Sequence, residues 1–146
     1  MTSIKNLVLV DDHPMFRKGL RLMIDLEEDL KVIGEANDGL EAIEQVRELK
    51  PDIVVMDINM PNLNGIDATR KILEESPKTK VLVLSIHSSQ QYVESVLEAG
   101  ATGYLLKESA PEELIKAIRI ICEGKSYLSA DITEIVSLLK SRGQTP

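Results

Sequence analysis

The sequence predicts an α/β domain: five strands in a parallel, doubly wound sheet, each followed by a helix, with one extra C-terminal helix. Three observations carry this. Short apolar runs rich in β-branched residues alternate with stretches of helical period. Three of those runs lack polar alternation, as strands covered on both faces do. The length, 146 residues with 43% hydrophobic and 28% charged, suits one ordinary globular domain with a short appendage.

The elements follow in order. The first strand is Leu7-Val8-Leu9-Val10. Pro14 suits the first turn of the helix after it, where Phe16, Leu20, Met23 and Ile24 share one face. The second strand is Val32-Ile33-Gly34-Glu35-Ala36, and Asp38 can cap a helix with Ala42, Ile43, Val46 and Leu49 inward. Lys50-Pro51 stops that helix. The third strand, Ile53-Val54-Val55-Met56, leads to a helix carrying Ile66, Thr69, Ile72 and Leu73, stopped at Ser76-Pro77. The fourth, Val81-Leu82-Val83-Leu84, leads to Val93, Val96 and Leu97, with Gly100 at the helix end. Tyr104-Leu105-Leu106 is the fifth strand. Ser109 as cap and Pro111 open its helix, with Leu114, Ala117, Ile118 and Ile121 on one face. Beyond Gly124, Ser129 can cap an amphipathic segment with Ile132, Ile135, Val136 and Leu139, before a linker-like end from Ser141 to Pro146.

Charge and composition exclude several function classes. Lys and Arg total 17 against 24 Asp and Glu, a net charge of −7, which argues against a surface for grasping nucleic acid. A single cysteine, Cys122, excludes an internal disulfide and any cysteine-cluster metal site; a small packed hydrophobe is its expected role. No stretch is long enough to span a membrane and no signal peptide opens the chain, so a cytoplasmic location is expected.

Right-handed crossovers put helices on both faces of such a sheet. By analogy with flavodoxin and CheY the expected strand order is 2-1-3-4-5, and ligands bind at the carboxyl ends of strands where the order reverses, between strands 1 and 3. Asp11 and Asp12 end strand 1, and Asp57 ends strand 3. Three converging carboxylates repel one another unless a proton or a cation intervenes. Hard oxygen donors favour Mg²⁺. Ser85 ends strand 4 and Lys107 follows strand 5. Three acids, a hydroxyl and a lysine on one rim are the parts of metal-assisted phosphoryl transfer to a carboxylate. Taken singly, each has an ordinary alternative: Asp12 as a helix cap, Lys107 as a solvated charge, Ser85 as a loop hydroxyl.

With these residues in place, the sequence resembles the receiver domain of two-component response regulators, in the NarL/FixJ (LuxR-type) subfamily, over roughly residues 4 to 124. Val10-Asp11-Asp12-His13-Pro14 is similar to that family's acidic pair. The stretch from Asp57 through Asn59, Met60 and Pro61 to Gly65 is similar to its phospho-acceptor loop; Ser85 and Leu105-Leu106-Lys107 complete the set in order. The resemblance implies that Asp57 is phosphorylated by a sensor histidine kinase. It implies Mg²⁺ (Mn²⁺ as substitute) held by Asp11, Asp12, Asp57 and the backbone carbonyl of Asn59. Lys107 and Ser85 would contact the phosphoryl group, Tyr104 would turn inward on switching, and Asn59 and His87 would tune the phosphate lifetime. Structurally plainer roles exist for the last few: a turn for Asn59, an exposed loop for His87, strand packing for Tyr104, and a cap or surface position for His13. Where many receivers carry proline after the lysine, this chain has Glu108, a subfamily trait that leaves the phosphorylation site intact.

The expected division is residues 1–124 as receiver and 125–146 as helix and linker, leading to a helix-turn-helix output domain outside this chain. Homodimerisation on phosphorylation and DNA binding by the whole protein are further implications, with no DNA or membrane bound by this chain itself. The chain is expected to be a switch, not an enzyme. Three alternatives stand beside this reading. A Mg²⁺-dependent aspartyl-phosphate phosphatase of the haloacid-dehalogenase type would place an Asp-x-Asp pair after strand 1. A flavin carrier would need a Ser/Thr/Gly-rich phosphate loop where Asp11-Asp12-His13 stands, and aromatics make up only 3%. A stand-alone receiver acting by protein contact would leave the tail helix unexplained.

Overall fold

A computed structural model describes residues 3–58, 63–87 and 89–141. The chain runs β1 (Lys5–Val10), α1 (Pro14–Asp25), β2 (Leu30–Ala36), α2 (Gly39–Leu49), β3 (Ile53–Asp57), α3 (Gly65–Glu75), β4 (Lys80–Ser85), α4 (Gln90–Glu98) and β5 (Gly103–Leu106). A 3₁₀ turn (Lys107–Ser109) leads into α5 (Ala110–Cys122), followed by β6 (Tyr127–Leu128) and α6 (Ala130–Ser141). The strands form one parallel sheet in the order β2-β1-β3-β4-β5-β6. The reversal between β1 and β3 is as expected; the sixth strand is an addition. Its two residues are too short to leave a periodic signature.

Side-chain alternation along the strands divides the core in two. Val8, Val10, Val54, Met56, Val81 and Val83 face α2, α3, α4 and α6. Leu7, Leu9, Ile53, Val55, Leu82 and Leu84 face α1 and α5. The central strands are therefore apolar on both sides, which explains their unbroken runs.

Several local signals act as expected. Pro14 opens α1, and Asp38 caps α2 by accepting the Glu41 N–H at 2.9 Å. Before Pro51, Lys50 ends α2 in the left-handed region at φ 48°. Gly100 follows α4 at φ +102°, where a side chain would be strained.

Two expected caps are corrected. Ser109 lies in helical conformation at the end of the 3₁₀ turn and makes no cap hydrogen bond, because the turn runs directly into α5. Ser129 does not cap α6 with its hydroxyl. Its N–H is fixed on the Tyr104 carbonyl at 3.0 Å by the β5–β6 pairing, and its Oγ is buried with no hydrogen-bond partner among the described residues. Cys122 is half-buried against the α1–α5 core, and burial pushes its thiol above the ordinary range.

Candidate functional site

The register of the sheet assembles the site. Val10 pairs with Met56, so the residues that follow, Asp11 and Asp57, leave neighbouring strands side by side. Asp57 in turn pairs with Leu84, placing Ser85 one residue beyond on the next strand. Asp11 and Asp57 are 2% and 4% exposed, a burial that two like charges tolerate only with compensation.

Lys107 supplies it. Its Nζ lies 3.0 Å from Asp11 Oδ2 and 3.4 Å from Asp57 Oδ2, over the Phe16 ring at 4.8 Å from the centroid. The short β5 ends one residue before Lys107, so the lysine enters from the rim on a turn. Gly65 closes the other side. A Cβ there would stand 2.1 Å from the Asp57 carbonyl oxygen, so only glycine lets α3 begin this close to the end of β3. Its N–H donates to the Ile58 carbonyl at 2.8 Å.

Asp12 is partly exposed, yet its Oδ1 is occluded and accepts no hydrogen bond among the described residues. The N-cap of α1 is His13, not Asp12, and no side chain caps the helix. The His13 ring instead turns to the acids, with Nδ1 3.0 Å from Asp11 Oδ1 and 3.1 Å from Asp12 Oδ1. Ligand atoms of Asp11, Asp12, His13 and Asp57 all lie within 4.8 Å of one another. An occluded carboxylate oxygen with only the His13 ring nitrogen near it, beside two buried acids, fits a hard divalent cation. That donor set could hold a metal through Asp11, Asp12 and Asp57.

Arg17 is a further member the sequence did not single out. It donates to the Asp11 and Ala36 carbonyls and pairs with Glu35 at 2.8 Å; Arg21 holds the other Glu35 oxygen. This brace fixes the loop that carries the acids. No sequence signal was available, because the pairing depends on β1 lying beside β2.

On the far rim, Ser85 is buried and its Oγ accepts the His87 N–H at 2.9 Å. Tyr104 is fully buried, and its hydroxyl donates to the His87 carbonyl at 2.7 Å. The ring is thus inward in this structure. Burial, more than any neighbour, pushes its phenol above the ordinary range. The His87 ring stacks on Tyr92, 4.4 Å between centroids and 5° from parallel, and is not part of the acidic cluster. Asn59, with Met60 and Pro61, lies outside the described residues.

Buried acids and a lysine thus meet at the switch point of a doubly wound α/β sheet. Residues 7–119 match the family model described as response regulator receiver domain. The chain belongs to that family, as a receiver of the NarL/LuxR type. It is 42% identical over 127 residues to the transcriptional regulatory protein DegU of Brevibacillus brevis, across 87% of this chain and 54% of that protein. It is 38% identical over 141 residues to the nitrate/nitrite response regulator protein NarL of Escherichia coli (strain K12), across 95% of this chain and 65% of that protein. The chain therefore spans just over half to just under two thirds of these relatives. A solved LuxR-family response regulator from Aurantimonas sp. SI85-9A1 superposes with a TM-score of 0.90 at 38% identity, across 95% of this chain and 99% of that one. Among the described residues, no helix is long and apolar enough to cross a membrane.

Proposed function

We propose that Asp57 accepts a phosphoryl group from a phosphohistidine on a sensor kinase. One observation carries this reading: a lysine ammonium within 3.4 Å of two buried carboxylates at the switch point. An Asp57 carboxylate oxygen attacks phosphorus, the P–N bond breaks, and the imidazole departs with its electron pair and takes a proton from solvent. An acyl phosphate remains on Asp57.

The chain's own groups prepare that exchange. Buried, Asp57 is poorly hydrated, with Lys107 Nζ 3.4 Å from its Oδ2. Lys107, already between Asp11 and Asp57, has donors for the phosphoryl oxygens. Ser85 supplies a hydroxyl on the adjacent strand. Asp11, Asp12 and Asp57, together with the Asn59 carbonyl, would hold Mg²⁺, or Mn²⁺ in its place. The ion neutralises phosphoryl charge when bound.

Switching follows from competition for donors. A new dianion beside Lys107 and Ser85 draws both, and Ser85 Oγ also fastens the His87 N–H. His87 is fastened a second time through its carbonyl by Tyr104. The β4–α4 segment, with Tyr104 and His87, is therefore the element the phosphoryl group biases. His87 and Asn59 tune the phosphate lifetime.

In the whole protein the switch controls transcription, as the name of one relative supports, through a DNA-binding domain not present in this chain, and it does so in the cytoplasm. Residues 1–124 form the receiver and 125–146 the connection to that domain.

Incubation with a small phosphodonor and Mg²⁺ tests the site. Intact mass should rise by one phosphate, and Asp57→Asn should abolish the gain. An unlabelled wild-type chain, or an equally labelled variant, overturns the assignment.

A further inference from the structure

His13 does not do the ordinary work of its position. It is the N-cap of α1, with extended backbone (φ −101°, ψ 98°) before Pro14, yet its side chain caps no N–H of the helix. Its own N–H donates to Asp11 Oδ1 at 2.8 Å, which ties the residue to the buried acid. Among the described residues, every polar contact of the ring is made through Nδ1.

The surroundings of that nitrogen suit a metal ligand better than a plain hydrogen bond. Nδ1 stands 3.0 Å from Asp11 Oδ1 and 3.1 Å from Asp12 Oδ1, nearly midway between two carboxylates. A single N–H aims well at one acceptor only. The Asp12 approach is close but is not a hydrogen bond, since the occluded Oδ1 accepts none among the described residues. Donors at right angles about a six-coordinate ion, each about 2.1 Å from it, lie about 3.0 Å apart. Nδ1 keeps that spacing from both oxygens. With a carboxylate oxygen of Asp57, these atoms all fall within 4.8 Å of one another.

We propose that His13 is a fourth side-chain ligand of the acidic cluster, bound through Nδ1, and that the site prefers six-coordinate transition ions (Mn²⁺, Co²⁺, Ni²⁺) to Mg²⁺. This rests on reading Asp11, Asp12 and Asp57 as a metal site, and adds a nitrogen donor to it. The ring binds neutral, with its proton on Nε2. Imidazole suits transition ions, whereas Mg²⁺ keeps oxygen and water around itself. His13 therefore selects the ion without being required to hold Mg²⁺.

Mn²⁺ bound to the untagged 146-residue chain is the probe, read by electron spin echo envelope modulation. The chain has two histidines, and the ring of the other, His87, stacks on Tyr92 outside the acidic cluster, so a nitrogen signal is assignable. Modulation from a directly bound imidazole nitrogen should appear in the parent and in His87→Ala, and vanish in His13→Ala. By titration calorimetry, His13→Ala should weaken Ni²⁺ binding by about tenfold or more and Mg²⁺ binding by less than about threefold. Mn²⁺ bound without that modulation, or modulation that survives in His13→Ala, overturns the proposal and leaves the three acids as a metal site. An equal loss for every ion also overturns it, because His13 would then be placing the acids and not binding the ion. A parent chain that binds none of these ions overturns both this proposal and the metal reading beneath it.

Discussion

Lys107 holds the charge balance of the site, because two buried carboxylates flank its ammonium at 3.0 and 3.4 Å. Without it, Asp11 and Asp57 repel in a poorly solvated setting. Lys107→Met should therefore cost about 3 kcal/mol of stability in metal-free buffer. Mg²⁺ should restore part of that loss, read as a larger metal-induced rise in Tm for the variant than for the parent. An equal rise in both would mean the lysine and the metal do not share the same charges. A second residue-scale expectation concerns alkaline pH. Burial raises the Tyr104 phenol, and burial followed by the Glu113 hydrogen bond raises that of Tyr127 to about 12. A phenol held above its ordinary value stabilises the fold fully below about pH 10. That contribution is lost as pH climbs toward the folded value. Denaturation midpoints should fall above about pH 10, and less steeply in Tyr127→Phe. A decline of the same slope in the variant would assign the effect to other groups.

At the scale of elements, Gly65 and Asp38 do different work. Gly65→Ala drives a methyl into the Asp57 carbonyl, a backbone atom that cannot step aside. Either α3 shifts or the Asp57 loop does, so the variant should lose about 3 kcal/mol and label poorly. Asp38→Ala removes one cap and should cost about 1 kcal/mol, with labelling intact. Urea titrations alongside phosphodonor labelling separate the two. Elements were legible in the sequence where one cause sufficed. The runs Leu7–Val10, Ile53–Met56 and Val81–Leu84 are buried on both faces, and their composition says so. The site acids were legible because each stands where such a run ends. Tertiary causes were not legible. Ser109 and Ser129 have the chemistry of caps, but the 3₁₀ turn and the β5–β6 pairing decide their conformations. His13 and Arg17 came into the site only once β1, β2 and the α1 start were placed together.

For the molecule as a whole, the tail is part of the core. Ile132, Val136 and Leu139 are buried, the first two in the cluster that holds Val93, Val96 and Tyr104. Burial of each large aliphatic side chain stabilises by about 1.5–3 kcal/mol at most. A chain ending at Gly124 should therefore lose several degrees of Tm and bind a hydrophobic dye that the full chain excludes. An unchanged Tm would show the tail to be a passive passenger. Five βα units were foreseeable from the sequence and the order reversal between β1 and β3 by analogy with flavodoxin and CheY, whereas the sixth strand depends on two half-buried residues.

The Ser129 N–H bonded to the Tyr104 carbonyl has a mechanical meaning. It makes the tail a lever whose pivot is the residue that packs behind the switch loop. Helix α6 has 12 residues, an arm of about 18 Å at 1.5 Å per residue. A tilt of about 5° at its root would carry the far end sideways by about 1.5 Å, enough to break a hydrogen bond to anything docked there. A sub-ångström change at the end of β5 would thus arrive enlarged at Ser141.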